Sequence, residues 1–284
     1  MMKPRIIDSA RLIVGEGPLW DEKKQILYVL DIRGRCVRTW NPETGEHQQF
    51  DYEQEIGCLA LDEEGRLIAA MTKGIYYANP DGTLTPICEP ESFKGRRFND
   101  GKVGPDGRFY VGTTDYNHEG AFYRLDPDGT LVELLDHIGC SNGLAWSTDG
   151  KTLYYCDSPD RVLEAFDFDA ETGSISNRRT IMPLPLEGGE FDGMTIDAEG
   201  MLWVAIWGEY CALRIDPLKA EVMEKLVFPV KRVSCCGFAG RDLNTLIITT
   251  AAYQTTPEEE PEAGCTYALE VPVPGLPTWR FATA

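Results

Sequence analysis

Four oxygen-bearing side chains, Glu16, Asn99, Asn142 and Asp192, each stand five residues ahead of a residue that opens a turn: Asp21, Gly104, Ser147 and Asp197. They sit in otherwise apolar stretches, where an isolated carboxylate costs several kcal/mol to bury and changes its protonation unless something compensates it. Carboxylates and amides without a cluster of His or Cys describe a site for one hard divalent ion of the Ca, Mg or Mn type, and Zn also accepts carboxylates. Two acids, Glu16 and Asp192, match one 2+ charge. The competing reading is local: Asn-Gly and Asp-Gly pairs are common turn formers, and these side chains could serve only backbone groups at strand starts.

What would bring residues so far apart together is a repeat. A short apolar stretch, a turn and a second apolar stretch recur six times, as PLWDEKKQILYVLDI, LALDEEGRLIAAM, KVGPDGRFYVGTT, LAWSTDGKTLYYCD, MTIDAEGMLWVAIW and FAGRDLNTLIITTA. Aligned on Asp21, Asp62, Gly104, Ser147, Asp197 and Gly240, the steps are 41, 42, 43, 50 and 43 residues. Each copy reads as a β-hairpin. The first five continue toward a third and fourth strand around TWNPETGE, YANPDGTL, RLDPDGTL, FDFDAETG and RIDPLKAE, whose Pro, Asp and Gly suit tight turns. Four strands per ~43 residues is a propeller blade, and no segment carries the 3.6-residue period of a helical array. The expected fold is an all-β, six-bladed propeller of four-stranded antiparallel blades around a central metal-binding channel, one domain over residues 1–284. The strand-like Pro4–Asp8 is expected to pair beside Thr266–Val271 and close the ring.

In such a fold the first strand of each blade lines the axis, so equal phase means equal height around a ring. The ring reads Glu16, Gly57, Asn99, Asn142, Asp192 and Cys235. Tyr116, Trp207 and Tyr253 fall in loops or at strand ends expected near the channel mouth, either facing a ligand or packing the propeller.

Several functions are disfavoured. A net charge of −19 repels phosphate backbones and anionic headgroups, which argues against nucleic acid and membrane surfaces as partners. Gly139-Cys140-Ser141-Asn142-Gly143 matches the G-x-S-x-G pattern, but His47, His118 and His137 all precede Ser141, and no strand-turn-helix context surrounds it. Nine cysteines without a C-x-x-C spacing read as reduced, mostly buried thiols. An acid and two arginines within the first eleven residues give no secretory pattern, and the expected location is cytoplasmic. Glu258–Glu262 reads as a solvated loop tip, and His118-Glu119 as part of a loop, 114–120, near the mouth.

The motifs Gly-Glu-Gly-Pro at 15–18, Arg-Phe-Asn-Asp-Gly-Lys at 97–102, Ser-Asn-Gly-Leu-Ala-Trp-Ser at 141–147 and Asp-Gly-Met-Thr-Ile-Asp-Ala-Glu-Gly at 192–200 follow one another along the chain. In them the sequence resembles the family that includes senescence marker protein-30 (regucalcin), gluconolactonase and the luciferin-regenerating enzyme. The resemblance implies a sugar-lactone hydrolase with Glu16, Asn142 and Asp192 as metal ligands, Asn99 at the metal or the substrate, and Arg97 toward the substrate. It also implies a second-shell or ancillary role for Asp100. Departures lie in the sixth repeat, Ser-Cys-Cys-Gly-Phe-Ala-Gly, and in loop 114–120. Lactone opening needs an activated water, and Asp192 is the candidate base. Hydrolysis of another ester or phosphoester, or a non-catalytic calcium-binding regulatory role, are the alternatives.

Overall fold

The computed structural model describes residues 3–283, and in it six four-stranded antiparallel sheets stand around an axis. Strand β1 (Arg5–Asp8) comes first, followed by blade 1: β2 (Gly15–Asp21), β3 (Ile26–Asp31), β4 (Cys36–Trp40) and β5 (His47–Asp51). Blade 2 is β6 (Ile56–Leu61), β7 (Leu67–Met71), β8 (Ile75–Ala78) and β9 (Leu84–Cys88), and blade 3 is β10 (Arg97–Val103), β11 (Phe109–Thr114), β12 (Gly120–Leu125) and β13 (Leu131–Ile138). Blade 4 is β14 (Ser141–Trp146), β15 (Thr152–Asp157), β16 (Val162–Asp169) and β17 (Ser174–Pro183). Blade 5 is β18 (Glu190–Ile196), β19 (Leu202–Trp207), β20 (Cys211–Asp216) and β21 (Glu221–Val227). Blade 6 takes β22 (Val233–Ala239), β23 (Thr245–Thr250) and β24 (Thr266–Glu270), and receives β1 as its fourth strand, with Arg5 opposite Ala268 and Ile6 opposite Tyr267. The expected propeller and its closure by the first strand are both present. The 50-residue step spans the long strands β16 and β17, of 8 and 10 residues.

Burial follows from this layout. Innermost strands are covered on both faces, so β6, β14 and β22 are buried along their whole length, while the outermost β5 is almost wholly exposed. Six apolar clusters form, each at the junction of two neighbouring blades; Phe191, Met194 and Val204 of blade 5, for example, pack on Tyr154, Leu163 and Met182 of blade 4. Such junctions leave little room near the axis. A Cβ on Gly57 would collide with the carbonyl oxygens of Phe98 and Asn99 on the next blade, which explains why this ring position carries no side chain.

The C-terminal segment closes one end of the channel, a role its sequence did not announce. Gly275 and Phe281 bridge to Asp197 and Asp62, the Phe281 N–H donates to Leu61 O (2.9 Å), and Trp279 meets Trp146 edge to face at 6.1 Å. Arg280 Nη2 donates to Oδ1 of the fully buried Asp21 (2.8 Å). Burial pushes the Asp21 carboxyl up, but Arg280 and the Lys24 and Lys23 N–H groups outweigh it and hold it below the usual range. That stabilisation is present above an ordinary aspartate pKa and is lost as pH falls through the lowered one. Arg280→Ala is therefore expected to cost about 2 kcal/mol near neutrality, read from urea midpoints, with the deficit shrinking in acid as Asp21 protonates.

The Glu258–Glu262 run is exposed at Glu258, Glu259 and Pro261, as a solvated tip would be, but the loop beneath it is fastened. Arg11 donates to the carbonyls of Glu260 (2.8 Å), Ala263 (3.2 Å) and Thr255 (3.0 Å), and Glu260 Oε1 accepts the Lys231 N–H (2.9 Å). A run of acids says nothing about the carbonyls beneath it. All nine cysteines are free, and all but Cys88 are buried. No helix among the described residues is long and apolar enough to cross a membrane.

Candidate metal and active site

At the end of the channel opposite the C-terminal segment, a cavity of about 320 Å³ opens to solvent. Glu16, Asn99, Asn142 and Asp192 all line it, as do Arg97 and the three aromatic residues Tyr116, Trp207 and Tyr253. The repeat phase thus brings together the four oxygen donors from blades 1, 3, 4 and 5. The other two ring positions contribute none: Gly57 has no side chain, and Cys235 lines a separate cavity further along the axis.

Each innermost strand has a register shift at or beside its ring position, between Glu16 and Leu19, Phe98 and Gly101, Asn142 and Leu144, and Phe191 and Met194. A bulge re-aims side chains and increases local twist, which is how a residue at the head of a strand comes to face the axis. It also explains Asp100. Strict alternation would point it away from Asn99's side, but the shift between Phe98 and Gly101 lets it face the channel as well. Asp100 does not line the open cavity; it lines the inner one with Lys102, whose Nζ donates to Leu144 O (3.1 Å) and Met194 O. Its Oδ2 is buried without a hydrogen-bond partner.

The four donors are 6–8% exposed. Asn99 is held by Nδ2 donating to Ser141 O (2.8 Å), and its Oδ1 accepts from Arg97 Nη1 (2.8 Å). Asn142 Nδ2 donates to Ser158 Oγ (3.0 Å), whose own hydrogen goes to Phe191 O (2.8 Å), tying blade 4 to blade 5 beside Asp192. Glu16 Oε2 accepts the N–H of Gly17 (2.9 Å).

Neither Glu16 nor Asp192 has an ion-pair partner among the described residues. The Arg97 guanidinium in the same cavity goes to Glu55 instead (Nε to Oε2, 3.3 Å). Burial, and then the charge of Asp100, push Glu16 up to about 8; burial, and then the charges of Glu16 and Asp100, push Asp192 well above the carboxylate range. Like charges this close resist joint ionisation without a counter-charge. Two such acids beside two amides fit a hard divalent ion. Burial raises the Cys235 thiol far above its ordinary pKa, and its side chain lines the inner cavity rather than the open one, which leaves oxygen donors there.

Other residues of the cavity were not singled out by the repeat phase. Glu190, two residues before Asp192, shares its wall and accepts a hydrogen bond from Tyr116 OH (3.2 Å); period-two alternation would have found it. Arg33 comes from a turn and Ser158 from a single 3-10 turn (Ser158–Asp160), where strand periodicity does not apply. At the rim, ligand atoms of His118, Asp157 and Asp160 lie within 4.8 Å of one another, but both Asp157 oxygens already accept backbone hydrogens, from Gly139 (2.8 Å) and Cys140 (2.6 Å). Ser141 is a fully buried strand residue, not the tip of an elbow.

Comparison with known proteins agrees with this architecture. Residues 14–252 match the model of the "SMP-30/Gluconolactonase/LRE-like region". The "Putative sugar lactone lactonase YvrE" of Bacillus subtilis (strain 168) is 37% identical over 282 residues, covering 96% of this chain and 97% of that protein. Regucalcin of Danio rerio is also 37% identical, over 280 residues and 94% of each chain. The crystal structure of a calcium-binding protein, regucalcin, from Agrobacterium tumefaciens str. C58 superposes with a TM-score of 0.91 at 25% identity, covering 99% of this chain and 97% of that one. By sequence match and by fold, the chain belongs to the SMP-30/gluconolactonase/LRE-like family.

Proposed function

We propose that the protein is a metal-dependent lactonase that opens a sugar-acid lactone, an aldonolactone, to the aldonic acid. One divalent ion (calcium, zinc, magnesium or manganese) would be held on the axis by Glu16, Asn142 and Asp192, with Asn99 beside it. The observation that carries this reading is the pair of buried carboxylates, Glu16 and Asp192, without a cationic partner at the floor of an open cavity. The names of the B. subtilis and A. tumefaciens relatives, a sugar lactone lactonase and a calcium-binding protein, support the reaction and the ion respectively. The nine free thiols fit a reducing, cytoplasmic compartment.

A lactone is a cyclic ester, so its hydrolysis needs a water stripped of a proton and support for the oxyanion that follows attack. When bound, a divalent ion supplies Lewis-acid polarisation of the carbonyl. Asp192 accepts the water's proton on a carboxylate oxygen and returns it to the departing ring oxygen. Glu16 and Asn142 fix the geometry of the floor. Arg97, with Asn99 aligned by it, binds ring hydroxyls and offers positive charge to the developing oxyanion. Trp207, Tyr253 and Tyr116 present ring faces to the sugar and narrow the access of water.

A pH-indicator assay of an aldonolactone panel, with metal-stripped and metal-replenished protein, tests the reading. Acid release confined to the replenished protein is the expected result. Binding of calcium with no turnover of any substrate would favour the regulatory role, and faster turnover of simple esters or phosphoesters would favour a different hydrolase. Arg97→Ala is expected to lower kcat/KM about tenfold or more, through KM for the lost contacts to ring hydroxyls and through kcat for the lost support of the oxyanion. Its stability should fall by only about 1–2 kcal/mol, because the freed Glu55 is 38% exposed and Asn99 Oδ1, which loses its donor, lines the open cavity, so both can be rehydrated. Equal losses of stability and activity would make Arg97 a structural residue.

A further inference from the structure

Arg33, which lines the cavity, and Arg232, which lies against two of its aromatic residues, have no carboxylate partner among the described residues. Arg38, Arg124, Arg178 and Arg214 each pair with a carboxylate at 2.7–2.8 Å. Arg33 and Arg232 have neither an ion pair nor a side-chain hydrogen bond among the described residues; Arg5 shares this, but it sits on the outermost strand of blade 6, over Trp40. Their guanidinium groups lie on aromatic rings instead. Arg33 stands over Tyr253 at 4.6 Å, and Arg232 lies 6.0 Å from Tyr253 and 5.8 Å from Trp207. Arg33, Tyr253 and Trp207 all line the cavity.

The placement is built rather than incidental. Arg33 sits in the turn between β3 and β4, which Asp31 fixes by accepting the N–H groups of Ile13 (2.7 Å), Val14 (3.0 Å) and Gly34 (2.9 Å). Arg232 is fixed through its backbone, bridging Trp207 and accepting the Ala251 N–H at 3.0 Å. A guanidinium lying on a ring is held in orientation while its N–H edges stay free, so little entropy is lost when an anion arrives. In a chain of net charge −19, two unneutralised cations on one opening form a local attractor for anions. Of the acids nearby, Glu190 accepts from Tyr116 OH, Glu55 pairs with Arg97, and Glu16 and Asp192 are assigned to the proposed ion, while Glu53 lines a neighbouring groove with Arg33 but makes no ion pair with it among the described residues.

We propose that Arg33 and Arg232, stacked on Tyr253 and Trp207, form an anion-binding subsite, and that the substrate is a sugar lactone bearing a second, unreacted anionic group. That group is a carboxylate, as in the monolactone of a sugar diacid, or a phosphate ester. The proposal rests on the lactonase reading for its reaction, while the subsite itself is testable without turnover.

The experiment compares kcat/KM of the metal-loaded protein for a neutral aldonolactone, the monolactone of a sugar diacid and a phosphorylated aldonolactone. At least one anionic lactone should exceed the neutral one about tenfold or more, as charge-assisted hydrogen bonds allow, and the excess should shrink with added salt. Which anion gains identifies the group. Arg33→Met and Arg232→Met keep the aliphatic stem on the ring and remove the fork; each should lower the anionic-to-neutral ratio several-fold, with Arg33→Lys restoring part of it. A neutral lactone turned over as well as both anionic ones, or a ratio that survives both Met variants, overturns the proposal. Calorimetry of the open sugar diacid and a sugar-acid phosphate against the aldonate forms the second arm. If no lactone is hydrolysed the lactonase reading fails, and the subsite then stands only if one of these anions binds more tightly than the aldonate in an Arg33-dependent way.

Discussion

Asp192→Asn, saturated with divalent metal, is expected to lose about 10²-fold or more in kcat, the usual share of a general base. Asparagine is nearly isosteric and still offers a carbonyl oxygen to an ion, but its amide cannot accept a proton near neutrality. The variant should therefore retain metal at raised concentration while turnover collapses. Asn142→Asp runs the other way: an oxygen donor is kept, a charge is added, and metal should bind more tightly without a comparable gain in rate. Kinetics and metal content measured on the same samples separate the two roles. A metal-loaded Asp192→Asn protein running near the wild-type rate would take the base role away from Asp192.

Stripping the metal should destabilise the protein increasingly as pH rises. Without a counter-ion Glu16 is pushed up to about 8 from the ordinary 4.5, by burial and by Asp100. A carboxyl raised in the folded state contributes its full share below its unfolded pKa and loses it as pH climbs through the folded one. The stripped protein therefore weakens between about pH 5 and pH 8, with Asp192 shifted in the same direction. An ion that binds only the folded, deprotonated site reverses the loss. Chelation is expected to lower Tm by on the order of 10 °C at pH 8 and by much less at pH 5. Melting curves in chelator and in excess metal across this range check it; identical curves at every pH would speak against any ion between Glu16 and Asp192.

The repeat made much of this architecture readable in advance. Turn chemistry every 41 to 50 residues is a local signal, and a propeller converts it directly into geometry, so the sequence alone places Glu16, Asn99, Asn142 and Asp192 at one height. Pairing of Arg5–Asp8 with Thr266–Glu270 was legible too, because a ring must close. What escaped has physical reasons. The bulges have no compositional mark here, so Asp100's turn into the inner channel could not be told from plain alternation. The closing segment around Trp279 makes tertiary contacts with blades that precede it by more than a hundred residues, and its own sequence gives no period. Arg33, Asp157, Ser158 and Asp160 arrive on a turn, a strand end and a single 3-10 turn, whose neighbours are set by packing, not spacing.

Anomalous diffraction from crystals loaded with manganese shows whether one divalent ion sits on the axis between blades 1, 4 and 5. A single strong peak is expected, with oxygens of Glu16, Asn142 and Asp192 at about 2.0–2.6 Å. A peak at His118, Asp157 and Asp160 with none on the axis, or a catalytically active protein with no peak at all, would contradict it.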